Sequence, residues 1–115
     1  MVDAGTLATT AQVIFMLGEN AETNQILEAN TNYAILMAES LIFLETSSDF
    51  VTNYASIDAQ LKQSLAMASS AKAAMLLINQ DQETWQLATT QSKLNVLDSF
   101  YKETIKRIKE TDIEW

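Results

Sequence analysis

The stretch "TNYAILMAESLIFLET", residues 31–46, predicts a helix that is apolar on more than one side. Its apolar residues fall on two stripes of helical spacing, Tyr33, Met37, Leu41 and Leu44 on one and Ile35, Ala38, Ile42 and Phe43 on the other. Asn32 and Glu39 mark a narrow polar strip between them. Since a core-facing stripe usually spans little more than about 100° of a helix, this helix either is central or also contacts another molecule.

The composition of the chain favours helices over strands. Of its 115 residues 48% are hydrophobic, while Gly 2 and Pro 0 are too few for the turns of many short strands. No composition shift divides the chain, so we expect one helical adaptor-type domain over residues 1–110 and a C-terminal docking tail at residues 111–115. The predicted fold is all-α, a small bundle of about four helices with a long C-terminal helix and an extended tail.

Capping residues and turn formers set the expected bounds of the helices. The first helix is predicted from Thr10 to Leu17, with Thr9 or Thr10 as N-cap and Gly18 as its stop, and the second from Glu28 or Thr31 to Thr46. The third is predicted from Ile57 or Asp58 to Asn79 with Ser56 as its cap, and the fourth from Trp85 to Glu110. Because a helix of this length exceeds the rest of a small bundle, its end is expected to project or to break before residue 110.

The third helix has small residues at its centre, in "AMASSAKAAM", residues 66–75. Small side chains let a neighbouring backbone approach closely, and tight packing inside the monomer is a better interpretation than a subunit contact. The core residues expected on the last two helices are Leu61, Leu65, Ala68, Met75 and Ile78, and then Leu87, Leu94, Leu97, Tyr101, Ile105 and Ile108.

Residue types that are missing exclude several chemistries. With Cys 0 and His 0, the usual nitrogen and sulfur ligands of transition metals are absent, so we expect neither a metal nor a cofactor. The apolar runs are too short to span a membrane, and we expect a protein made in a cytoplasm. The net charge of −8 repels phosphates and argues against nucleic-acid binding as the main task.

Carboxylates are the remaining candidates for catalysis. Glu39 and Glu45 on the second helix, and Asp81 and Glu83 in a connection, could do acid–base work only in pairs. A solvated or capping role explains them better, and packing over a neighbouring helix explains Trp85 better than a ligand pocket does. We therefore predict no catalytic residue and no enzyme.

The C-terminal stretch "KETIKRIKETDIEW", residues 102–115, is the one basic region. Lys102, Lys106, Arg107 and Lys109 suit the end of a helix, where cations are favourable. Beyond them Ile113 and Trp115 are apolar residues that a small monomer has little core to cover, so we expect this end to dock onto a partner.

The order of these features resembles the small helical head-to-tail connector proteins, or adaptors, of tailed bacteriophages. The segments that carry the likeness are "AESLIFLETSSDFVTNYASI", "LKQSLAMASSAKAAMLLI" and "LNVLDSFYKETIKRIKE", within residues 10–110. The residues that match are Ala38, Glu39, Thr46, Asp49, Phe50, Tyr54 and the run 66–74. Members of this family often have Trp after the Asp, where this chain has Phe50.

The resemblance implies a structural protein of the virion neck, assembled in the host cytoplasm. Such adaptors form a ring with copies of themselves, expected to be a dodecamer, between the portal protein and a tail or neck protein, around a channel through which DNA passes without specific contact. No membrane is involved. The implied ring-interface residues are Ile35, Ile42, Phe43, Phe50 and Tyr54, and the implied portal-docking residues are Lys106, Arg107, Ile108, Ile113 and Trp115.

A second hypothesis comes from a different class of protein. A small acidic helical regulator or inhibitor that binds a host protein would also be helical, acidic and without catalytic residues. It would act through exposed carboxylates and would not need the end formed by Ile113 and Trp115.

Overall fold

The computed structural model describes residues 3–18, 28–80 and 87–110, with the backbone alone at residues 79–80 and 87–92. These residues form helices α1 (Thr10–Leu17), α2 (Glu28–Thr46), α3 (Ala59–Gln80) and α4 (Leu87–Glu110), with one 3-10 turn at Tyr54–Ser56. The described ranges contain no strand. The prediction of an all-α bundle of four helices is confirmed, whereas the tail at 111–115 lies outside the described residues.

Helix α3 is the centre of the bundle and packs against α1, α2 and α4. Its middle is built from small buried side chains: Ala66, Ala68, Ser69, Ser70, Ala71, Ala73 and Ala74. Because these side chains are short, three helices can approach one axis closely, at the lower end of the usual spacing of about 8–10 Å. Most of residues 66–75 thus pack inside the monomer, as predicted, whereas Ala66, Met67 and Ser70 also line a surface groove.

Helix α1 is bounded as its sequence predicts. The Thr9 hydroxyl accepts a hydrogen bond from the Gln12 amide, and the Gln12 side chain accepts one from the Thr9 amide, which completes a capping box. Gly18 ends the helix with a φ of 81°, a conformation that favours glycine. The predicted capping residues Thr9 and Gly18 therefore lie at the two ends of α1.

The connection between α2 and α3 is an ordered turn. Ser47 has a φ of 56° and donates from its amide to the Phe43 carbonyl, ending α2. The Asp49 carboxylate then accepts hydrogen bonds from the Thr52 hydroxyl at 2.7 Å and the Thr52 amide at 3.0 Å. This turn directs Phe50, 2% exposed, into the core.

Helix α3 begins later than predicted. Ser56 was the expected N-cap, but it lies in the 3-10 turn, where the Ile57 amide donates to the Tyr54 carbonyl. The Asp58 carbonyl accepts the hydrogen bond from the Lys62 amide that precedes the first turn of α3. The local turn therefore displaces the start of the helix to Ala59.

Helix α4 runs without a break to Glu110. Its 24 residues span about 36 Å at 1.5 Å per residue. Of the residues predicted to face the core, Leu97, Tyr101, Ile105 and Ile108 are buried and Leu94 packs against them, while the side chain of Leu87 lies outside the described part of the structure. Since Ile108 is only 3% exposed, the end of α4 is packed, and the expectation that it projects or breaks is wrong. Asp81, Glu83 and Trp85 lie outside the described residues.

An extended segment at residues 3–9, which we call the N-terminal strap, covers one side of α2. Glu39 holds it, because Glu39 Oε2 accepts the amide of Thr6 at 2.9 Å and that of Leu7 at 3.0 Å. Of the two roles expected for Glu39, solvated or capping, the first is wrong because Glu39 is 6% exposed; its carboxylate instead accepts backbone amides, although those of the strap and not of a helix end. The strip that looked polar from the sequence is the site where the strap binds.

The strap and α2 run in the same direction. The Ala4 amide donates to Asn32 Oδ1 at 2.9 Å, and three residues later the Leu7 amide donates to Glu39 Oε2 at 3.0 Å. The strap bends at Thr6 and Leu7, so both of their amides reach the same carboxylate. Between these points Gly5 lies so close to Ile35 that a Cβ atom at Gly5 would collide with the Ile35 side chain.

We expect Glu39→Ala to lower the free energy of unfolding by about 2–3 kcal/mol, because two amides would lose their acceptor. Glu39→Gln keeps a carbonyl oxygen and should cost less, about 1 kcal/mol, for the loss of charge. Urea denaturation measures both. Glu110→Ala, at an exposed carboxylate, is the control. Equal losses in Glu39→Ala and Glu110→Ala would show that the strap does not depend on Glu39.

Asp3 should give the strap a pH dependence. The Thr10 amide and then the Thr10 hydroxyl donate to Asp3 Oδ1, at 2.7 and 2.8 Å, and hold the pKa of Asp3 below its ordinary 3.8. The stabilisation is therefore present above that ordinary value and is lost as the pH falls through the lowered pKa. Asp3→Asn should be less stable than the native chain at pH 7 but not in strong acid, as measured by urea denaturation across pH. A difference that does not change with pH would contradict this origin.

Candidate functional site

The outward side of α2 is a bare apolar surface, which we call the α2 face. Its large exposed side chains are Tyr33, Leu36, Met37, Phe43 and Leu44. Leu44 is 70% exposed, whereas Ile35, Ala38 and Ile42 on the opposite stripe are buried. Since α3 occupies the centre of the bundle, the apolar residues on this side of α2 have no partner among the described residues of the core cluster. The excess apolar surface predicted from the sequence therefore lies on the outside.

A groove of about 490 Å³, which we call the α2 groove, lies at the C-terminal half of the α2 face. Its apolar walls are Leu36, Phe43, Leu44 and Val51. The charged side chains that line it are both carboxylates, Glu39 and Asp49. Hydrogen bonds from Thr52 lower the pKa of Asp49, so it is ionised at neutral pH. This groove thus combines an apolar wall with negative charge.

A second groove, of about 480 Å³, opens between α1 and α4 above α3, and we call it the α1–α4 groove. It is lined by Ala11, Gln12, Phe15, Met16, Gln63, Ala66, Met67, Ser70 and Phe100. Phe15, at 81% exposed, is the most exposed of the large hydrophobic residues in the described ranges. None of these lining residues is charged, so covering this groove removes no charge from water.

The two surfaces lie on opposite sides of the subunit. Helix α2 packs against both α1 and α4, and all three pack against α3. In the described residues α1 and α4 barely meet, and the gap between them is the α1–α4 groove. Because α2 lies between α1 and α4 on the other side of α3, its outward face points away from this groove.

Charge differs between the two sides. The charged residues of α2 are all acidic: Glu28, Glu39 and Glu45. Helix α4, which forms one wall of the α1–α4 groove, carries five basic and three acidic residues, a net charge of +2. Lys93, Val96, Phe100 and Arg107 recur at three-, four- and seven-residue spacing and so share one side of α4.

The predicted ring-interface residues occupy different environments. Ile35, Ile42 and Phe50 are in the core of the subunit, so a second molecule cannot contact them while the subunit keeps this fold. Phe43 is 48% exposed on the α2 face. Tyr54 is half-buried, with Lys62 Nζ 4.6 Å from its ring centroid. Only Phe43 and Tyr54 remain accessible to a neighbour.

The predicted portal-docking residues are also divided. Lys106 and Arg107 are exposed near the end of α4, where Arg107 donates to Glu103 Oε1 at 2.9 Å. Ile108 is buried in the core and is not available for docking in this fold. Ile113 and Trp115 lie outside the described residues.

Around the end of α4 a shallow cleft of about 320 Å³ holds mixed charges. Lys102, Lys106 and Lys109 line it together with Glu45 and Glu110. Lys102 forms a 2.9 Å ion pair with Asp98, and the hydrogen bond and charge of Asp98 raise the pKa of Lys102. Such exposed pairs contribute little stability. Since three lysines face two glutamates, the lining of the cleft has a small net positive charge.

Beside this cleft, Tyr101 is buried under α3. Burial raises the pKa of its hydroxyl, and the negative charge of Glu45 raises it further. Lys72 Nζ lies 5.1 Å from the centroid of its ring. The Ser69 hydroxyl is buried without a hydrogen-bond partner among the described residues. A phenol held neutral in this way packs the core and is not poised for proton transfer at neutral pH.

Other kinds of site were sought in the described ranges. No group of three or more His, Cys, Asp or Glu residues there is arranged to hold a metal ion. None of the described helices is both long and apolar enough to cross a membrane. Of the carboxylates considered for catalysis, Glu39 is engaged by the strap and Glu45 is exposed beside the basic cleft.

Sequence reasoning missed one half of the candidate site. Phe15 and Phe100 line the α1–α4 groove, yet neither was singled out from the sequence. A signal existed, because Val13 and Leu17 define the buried side of α1 and Phe15 falls opposite them at helical spacing. Because most residues of the short helix α1 are apolar, its sequence does not distinguish the buried side from the exposed side.

The fold and these surfaces define an all-α protein with two apolar surfaces on opposite sides. Comparison with protein-family models, with curated proteins and with solved structures found no match.

Neighbouring residues on α2 should respond in opposite ways to substitution. We expect Leu44→Gln, on the exposed α2 face, to change the free energy of unfolding by less than about 0.5 kcal/mol. Ile42→Ala, which opens a cavity in the core, should cost about 2–5 kcal/mol. Urea denaturation of the two variants is the measurement. A large loss for Leu44→Gln would mean that the α2 face is covered within the subunit.

Proposed function

We propose that this chain is a structural adaptor that forms a ring between the portal and the tail or neck of a tailed bacteriophage. The observation that carries the proposal is the presence of two separate apolar surfaces, the α2 face and the α1–α4 groove, on opposite sides of one small subunit. A ring subunit has two neighbours and needs two contact surfaces. Exposed apolar patches of this kind are typical of interaction sites.

The resemblance of residues 10–110 to head-to-tail connectors supplies the particular assembly. In this proposal Phe43 and Tyr54 belong to the contact between neighbours, because their side chains are accessible. The buried residues Ile35, Ile42 and Phe50 support that contact from beneath. They fix the position of α2 and of the turn that follows it.

The end of α4 is the proposed side for the portal. Lys106 and Arg107 are exposed there, and Lys109 extends the same basic surface. Exposed basic groups increase the rate of association with an acidic partner surface and determine its orientation. In this proposal Ile113 and Trp115 follow as apolar anchors, since aromatic residues contribute strongly to interfaces.

The acidic body fits a place around passing DNA. With a net charge of −8 per subunit, a ring of such subunits repels phosphates and does not retain the DNA. In this role the adaptor has proximity to DNA without binding it. A regulator of a host protein would have the same charge but no need for two opposite apolar surfaces.

The first test is binding to the portal protein encoded by the same genome. We expect immobilised portal rings to retain the full chain. They should not retain the double variant Lys106→Glu/Arg107→Glu, nor a chain that ends at Glu110, because each of these changes removes part of the docking surface. Ser99→Glu, which adds a negative charge at an exposed residue of α4 away from the end of the helix, is the control.

Two results would contradict the proposal. Failure of the full chain to bind intact portal rings would remove the adaptor function. Retention of a host protein instead, by the full chain and equally by the chain ending at Glu110, would support the acidic regulator.

A further inference from the structure

We infer that the α2 face of one copy docks into the α1–α4 groove of a second copy, so that subunits join head to tail through two different surfaces. This inference rests on the proposed function, because it names the contact between neighbours in the ring. The occupant of each surface is thus another copy of this chain. The two kinds of surface, their charges and their relative positions carry the inference.

One of the two surfaces protrudes and the other is a depression, so their shapes can fit together. The α2 face is one side of a helix with protruding side chains, among them Tyr33 and Leu44. The α1–α4 groove is a depression between two helices, with Phe15 and Phe100 on its walls. Its floor includes the small residues Ala66 and Ser70, which leave room for an inserted side chain. A helix laid with its apolar side in a hydrophobic groove is a common mode of recognition.

Charges at the edges of the two surfaces are complementary. The α2 groove is lined by the carboxylates of Glu39 and Asp49. The residues that line the α1–α4 groove are uncharged, but Lys93 shares one side of α4 with Phe100. Lys93 Nζ lies next to Gly18, at the end of α1, and so stands at the edge of the α1–α4 groove. Docking therefore brings acidic groups toward Lys93.

The same charges disfavour a symmetric contact. If two α2 faces met each other, Glu39 and Asp49 of one copy would approach the same carboxylates of the other. Like charges brought together at an interface are unfavourable. A contact between α2 and the α1–α4 groove avoids this repulsion and covers both apolar surfaces.

Opposite placement of the surfaces determines the form of the assembly. A subunit that docks by one side keeps the other side free for the next copy, so association continues from subunit to subunit. Such a heterologous contact closes into a ring when the rotation per subunit allows it, and otherwise forms an open filament. A twofold dimer formed through the α2 faces would leave both α1–α4 grooves uncovered.

Engineered cysteines test this contact cleanly, because the natural chain has Cys 0. The probes are Leu44→Cys on the α2 face and Phe15→Cys in the α1–α4 groove, with Leu36→Cys and Phe100→Cys as a second pair for a shifted register. The full-length variants are treated with a short bismaleimide cross-linker, alone at high concentration and on portal rings. Ala55→Cys, at an exposed residue of the 3-10 turn, is the control.

We expect the double variant Phe15→Cys/Leu44→Cys to give a ladder of multimers, because each copy links to two neighbours. Each single variant alone should stay monomeric, and a mixture of the two single variants should give only the mixed dimer. Adding Lys93→Glu to the double variant should lower the yield about tenfold by placing like charges at the contact.

Dimers from a single variant would overturn the inference in favour of a symmetric contact. The absence of α2-to-groove links from both pairs, with or without portal rings, would also overturn it. Binding to the portal without such links would leave the adaptor function standing while removing this contact. A ladder of cross-linked multimers without binding to the portal would support this contact and remove the adaptor function.

Discussion

The close approach of three helices to the small side chains of α3 is the constraint on which the rest of the structure depends. Ala68, Ala71 and Ala74 are fully buried, and no larger side chain fits at these positions without moving a neighbouring helix. Since α3 takes the central place, α2 is left at the surface with one side in the core and the other exposed. The bare α2 face is thus a consequence of the small residues of α3.

The same arrangement explains the second surface. Three helices do not close around a fourth, and the opening that remains between α1 and α4 exposes the apolar floor of α3. Large residues at Ala66 or Ser70 would fill this opening from within, but the chain has small ones there. The subunit therefore has both an unfilled groove and an uncovered helix face. One contact with a second copy can cover the groove of one subunit and the helix face of the other.

Periodicity and capping were sufficient to predict much of the fold. The bounds of α1, the extent of α2 and the core positions Leu65, Leu97 and Ile105 follow from local spacing and from residues that end helices. Two errors share a physical cause. Glu39 lies on the polar side of a helical projection of α2, but such a projection does not include the contact with the distant strap. Ser56 has the residue type of an N-cap, but residue type does not reveal that the chain forms an irregular turn there. Which apolar stripe of α2 faces inward was also not predictable, since it depends on the position of α3.

The strap has a consequence for the order of folding. Its contacts join residues about thirty positions apart in sequence, and its acceptors on Asn32 and Glu39 are correctly spaced only once α2 is helical. Contacts of large sequence separation that depend on another element form late and open early. Leu7 and Ala8 enter the core while residues 3, 4 and 6 stay exposed, so detachment of the strap would uncover Ile35 without separating α3 from its three neighbours. Such an opening would break the hydrogen bonds that the carboxylates of Asp3 and Glu39 accept, and these two residues therefore oppose it.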